Sequence, residues 1–135
     1  MTLLTRKHGR HVGLVRGGMG MRKRGLFQPG NRVHATWRAR LAEHLGSYTC
    51  EMTAAVAAPF MDDRLRLAAL SAICAVAEAA LPERERHEPV YEGMSILLDV
   101  LDQEIWPTIY VKWEIGLLQE LGFGLDLTSC AATGI

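Results

Sequence analysis

The hydrophobic period of the chain changes at Pro59, and no single kind of backbone can satisfy both patterns. Before it, apolar residues recur at every second position, as in strands with one buried face; after it they recur about every 3.6 residues, as in helices. Thr2–Thr5 is a short β-prone run, Lys7-His8-Gly9-Arg10 supplies a turn, and His11–Val15 resumes with Val12 and Leu14 alternating, which predicts a hairpin. Gly17-Gly18-Met19-Gly20 interrupts regular structure, and Leu26–Asn31 reads as a tight connection. Arg32–Arg40 alternates again, with Val33, Ala35 and Trp37 on one face and Arg32, His34, Thr36, Arg38 and Arg40 on the other. A further short strand is expected over Tyr48–Met52, after a Gly46-Ser47 turn.

Beyond Pro59 three helices are expected. Asp62 or Asp63 caps the first, which runs to about Leu81 with Leu65, Ala69, Ala72, Ile73, Val76 and Ala80 as its packed stripe and Pro82 as its stop. Pro89 opens the second, on which Val90, Met94, Leu97 and Leu101 share a side. Pro107 opens the third, with Tyr110, Trp113, Leu117 and Leu121 on one face and Gly122 at its C-terminal cap. The expected fold class is therefore α+β: a strand unit over residues 1–58 followed by an all-α unit over 59–135.

Charge divides along the same line. Residues 1–42 hold ten cations and no acid, a net +10, while the rest of the 135-residue chain holds five cations and all fifteen acids, a net −10. A neutral total thus conceals a cationic strand unit, which suits an anionic partner such as nucleic acid or an acidic protein tail. Arg10, Arg16, Arg22, Lys23, Arg24, Arg32, Arg38 and Arg40 are the candidate DNA-binding residues. Trp37, Phe27 and Tyr48 are the aromatics available for base stacking, with Trp37 favoured as core because it shares the Val33/Ala35 face. Cations without exposed aromatics would give salt-dependent binding with little base preference.

Other classes find little support. The sequence has no GxSxG, HExxH, P-loop or strand-linked GxGxxG, so no enzyme and no cofactor is expected. His8 and His11 read as solvated turn residues, and Glu83–Glu88 as a solvated loop. Cys50, Cys74 and Cys130 are odd in number and form no CxxC, which suits a reducing cytoplasm. No apolar run is long enough for a membrane span.

The ordered set Leu4-Thr5-Arg6-Lys7-His8-Gly9-Arg10, Gly13–Gly18, Arg22-Lys23-Arg24 and Leu26–Gly30 resembles the N-terminal domain of the bacterial recombination mediator family RecO. Tyr110–Leu118, Leu121–Leu127 and Cys130 resemble its helical part. The resemblance implies an OB-fold-like barrel followed by a helical domain, and a non-catalytic, nucleoid-associated role in DNA repair. It also implies binding of single- and double-stranded DNA, annealing of strands, and loading of the recombinase with RecR and single-strand-binding protein. Family DNA contacts map onto Arg16, Arg22, Lys23 and Arg24. Relative to the family the chain begins after the first barrel strand, leaving the barrel incomplete, and stops at Ile135. Thr133 stands where a zinc-binding second cysteine would be, so no metal is expected, Cys130 is expected as a free thiol, and Cys74 as a small buried group. The alternative reading is an adaptor that binds an acidic peptide tail.

Overall fold

In a computed structural model of the chain, residues 1–15, 28–41 and 46–135 are described. They form two compact units, Met1–Arg86 and His87–Ile135. The first contains β1 (Thr2–Thr5), β2 (Gly9–Val15), β3 (Arg32–Arg38), β4 (Gly46–Ala54), a 3-10 turn (Ala58–Phe60) and α1 (Arg64–Ala80). The second contains α2 (Glu88–Asp99) and α3 (Trp106–Glu120).

The strands form one open sheet in the order β1-β2-β4-β3. The β1–β2 hairpin is antiparallel, with Thr2 opposite Val12 and Thr5 opposite Gly9. Its turn is closed by one side chain: the Thr5 hydroxyl accepts from the His8 N–H (3.0 Å) and donates to the Gly9 carbonyl (2.8 Å). Strand β4 runs parallel to β2, pairing Gly13 with Gly46, and antiparallel to β3, with an irregularity at Arg32/Val33. An open four-stranded sheet followed by three helices agrees with an OB-like domain leading into helices. The last strand begins at Gly46, where a turn was expected, because parallel pairing to β2 recruits Gly46 and Ser47 into the sheet.

Helix α1 starts as its sequence dictates. Asp63 is the N-cap, its carboxylate accepting from the Arg66 N–H (3.1 Å) and also pairing with the Arg66 guanidinium (2.9 Å). The buried stripe is Ala69, Leu70, Ile73 and Ala77; Leu65, expected in it, is exposed. Leu70 rather than Leu65 is inward because Gly30, at φ +86°, lies directly against it and admits no side chain of its own.

After α1 the chain returns to β2. The Arg84 N–H donates to the Arg10 carbonyl (2.7 Å), and the Arg10 Nε donates to the Leu81 carbonyl (2.7 Å). This ties residues 81–84 beside the start of β2, and a Cβ on Gly9 would run into the Glu85 carbonyl oxygen. The expected solvated loop over Glu83–Glu88 is thus corrected, since backbone pairing with β2 holds its first half in place.

In the second unit, the Trp113 Nε1 donates to the Val90 carbonyl (3.2 Å), and His87 Nδ1 lies 3.1 Å from the Glu120 carboxylate. The start of α2 therefore meets the middle and end of α3, so the two helices run antiparallel. Gly93 leaves room for the Trp113 ring, and Val90, Leu97, Leu101, Trp113 and Leu117 form the core. Gly122 takes φ +89° just after α3, as its expected capping role requires.

Two glycine substitutions should have opposite effects. At Gly9 (φ +68°) alanine meets both left-handed strain and the Glu85 carbonyl, so Gly9→Ala is expected to cost about 2 kcal/mol or more. Gly116 lies inside α3 with open space around it, so Gly116→Ala should stabilise by up to about 1 kcal/mol. Thermal denaturation followed by circular dichroism checks both.

Candidate nucleic-acid interface

Strand alternation separates an aromatic face of the sheet from a polar one. On the inner side Trp37 is opposite Tyr48, and Ala35 is opposite Cys50. On the outer side Arg38 is opposite Ser47, Thr36 opposite Thr49, and His34 opposite Glu51. Leu14 of β2, beside Ser47, extends that outer face and is exposed. Arg38, Thr36, His34 and Thr49 are also exposed, so the face offers cations and hydroxyl groups without an aromatic platform.

The candidate cations have different settings. Arg38 lies on this face, and Arg40 is exposed two residues beyond it. Arg32 is half-buried at the strand irregularity, and Arg10 is half-buried with its Nε committed to Leu81. Arg16, Arg22, Lys23 and Arg24 lie outside the described residues, as does Phe27. Thr36, Ser47 and Thr49, which sequence reasoning passed over, line up beside Arg38 only through the β3–β4 register. Hydroxyl groups of this kind are ordinary partners of phosphate oxygens.

The inner face explains why the aromatics are not on offer. Tyr48 is 3% exposed, and its hydroxyl hydrogen-bonds His11 Nδ1. Burial pushes the Tyr48 pKa up to about 12, so the phenol keeps its proton and donates it to a neutral imidazole. Trp37 packs edge-on against His11 (centroids 4.8 Å apart), and the Arg84 guanidinium covers its ring at 5.1 Å. Trp37 is therefore part of the packing, in agreement with the face it shares in the sequence. His11, expected as a solvated turn residue, is buried, because the strand alternation that sends Leu14 outward sends His11 inward. Among the described residues no group of three His, Cys, Asp or Glu side chains is placed to hold a metal ion. Cys130 is exposed, and the Thr133 hydroxyl and N–H draw its thiol below the ordinary range. Cys74 is half-buried, with burial raising its thiol to about 11. No described helix is long and apolar enough to cross a membrane.

Comparison with known proteins fits this arrangement. Residues 1–55 match the family model for the recombination protein O N terminal, and residues 61–135 match the one for its C terminal. The chain belongs to the recombination protein O family. It is 58% identical over 133 residues to a protein named DNA repair protein RecO from Rhodospirillum centenum, covering 98% of this chain and 53% of that relative. It is 52% identical over 140 residues to the protein of the same name from Rhodospirillum rubrum, covering 99% and 56%. For the one from Cereibacter sphaeroides the identity is 48% over 132 residues, with 98% and 55% covered. The chain thus spans about half the length of the family members it matches. The family boundary between residues 55 and 61 precedes α1, whereas the compact units divide after Arg86.

Acid should loosen the inner cluster. Burial first, and the Arg84 charge second, lower the His11 pKa from 6.5. The unfolded chain therefore takes up a proton near pH 6.5 that the folded chain resists, so stability is full above that value and declines as the pH falls below it. Urea denaturation at pH 7.5 and 5.5 is expected to show this loss, and His11→Gln should reduce it. Tyr48→Phe, which leaves the buried imidazole nitrogen without its donor, should cost about 1–3 kcal/mol at pH 7.5.

Proposed function

We propose that the strand unit binds the sugar–phosphate backbone of DNA and that the chain acts as a non-catalytic component of DNA repair and recombination. The observation that carries this reading is the outer sheet face, where Arg38 and Arg40 accompany Thr36, Ser47 and Thr49 while Trp37 and Tyr48 are held inside. The acid-free first 42 residues and the names of the matched relatives support it. Cations and hydroxyls on a strand surface engage phosphates in any sequence, and the inward aromatics leave no ready platform for stacking bases. Such a surface suits single strands and duplexes alike.

Arg16, Arg22, Lys23 and Arg24 extend the cationic set in this reading, following the family resemblance. Strand annealing, and recombinase loading with RecR and single-strand-binding protein, belong to the same proposal, as does a cytoplasmic, nucleoid-associated location. In this proposal residues 1–58 form the DNA-binding domain and residues 59–135 the helical one.

Fluorescence anisotropy of a labelled oligonucleotide tests the central claim. Binding should weaken steeply with salt and differ little between mixed-sequence and homopolymer strands. Replacing Arg38 and Arg40 by Ala should reduce affinity for every sequence and flatten the salt dependence on single strands by roughly 0.7 for each phosphate no longer neutralised. Affinity and salt slope unchanged in a folded variant would show that the outer face does not hold phosphate. An acidic peptide displaced by DNA would show that the two ligands share the surface.

A further inference from the structure

Helix α3 carries two apolar rows. Tyr110, Trp113, Leu117 and Leu121 make up the first, and its Trp113 and Leu117 are buried in the helical unit. Pro107, Val111, Ile115 and Leu118 make up the second, at i, i+4, i+8 and i+11 on a different side of the helix. This second row is open: Val111 is 53% exposed and Leu118 37%, with Ile115 half-buried between them. It extends over about three turns, roughly 16 Å, the length over which a helix-sized ligand places its anchors.

The charge around that row is strongly one-sided. Residues 87–135 contain eight carboxylates and one cation, Lys112, giving −7 with histidine neutral. Glu114, in the turn between Val111 and Leu118, borders the row directly. We propose that the Val111–Ile115–Leu118 face of α3 is a docking seat for a basic amphipathic segment of a partner protein. The partner's apolar side would cover the row and its lysines or arginines would face the surrounding carboxylates.

Charge selects this occupant over others. A second copy docked through the same face would set −7 against −7, a repulsion that a self-complementary interface cannot avoid. An anionic lipid surface or an acidic peptide meets the same repulsion. The inference is independent of the DNA reading, because the row and its charge lie on the helical unit and involve none of the candidate DNA-binding cations.

The test uses the whole chain and a labelled synthetic helix of about 18 residues with leucine on one side and lysine on the other, against a twin in which serine replaces every lysine. The lysine peptide is expected to bind about tenfold or more tightly than the twin. The pair Val111→Ser and Leu118→Ser, both at exposed positions, should weaken that binding about tenfold or more while leaving the circular dichroism spectrum intact. Arg38→Ala should leave it unchanged. Equal binding of the two peptides, or binding unaffected by the serine pair, would overturn the proposal. So would sedimentation showing self-association that the serine pair abolishes, since the occupant would then be a second copy.

Discussion

The first unit depends on a pair of glycines. Gly13 of β2 and Gly46 of β4 are opposite each other in the parallel ladder, and any side chain there would strike the Tyr48 ring or the Trp37 indole. Their lack of side chains lets both rings lie close against the backbone. Tyr48 can then reach His11, Trp37 can pack on the imidazole, and Arg84 can cover the indole. Because strand side chains alternate, seating the aromatics inside sends Arg38, Thr36 and Thr49 outside. Inner packing and outer chemistry are consequences of one register, and a slip of a single residue would exchange them.

That register also accounts for what the sequence made visible. The β1–β2 hairpin, the cationic and apolar faces of β3, the Asp63 cap and the two helix-opening prolines follow from local chemistry, and the structure carries all of them. His11 was not legible as a buried group, because its burial requires Tyr48 and Trp37, which are distant in sequence. The hydroxyl row of Thr36, Thr49 and Ser47 was hidden for the same reason, since only cross-strand pairing assembles it. The tie between Arg10 and residues 81–84 joins backbone groups more than 70 positions apart, a relation that leaves no periodic trace.

Helix α3 shows a different limit. Periodicity detects a helix by the contrast between an apolar side and a polar one, and a second apolar row weakens that contrast without weakening the helix. Tyr110, Trp113, Leu117 and Leu121 satisfied the search for a core face, so Val111, Ile115 and Leu118 passed as the solvent side. Their exposure becomes evident only when the first row is seen buried.

The two kinds of surface imply different energetics. On the strand unit, attraction to phosphate rests on displaced counterions, which makes affinity sensitive to salt and nearly indifferent to base identity. On the helical unit, apolar burial would supply affinity that salt barely changes, while the carboxylates choose among partners and speed encounter. Opposite charges on the two surfaces also keep their ligands apart: a polyanion favoured by the first is repelled by the second. A neutral chain can in this way hold two partners of opposite sign without either competing for the other's seat.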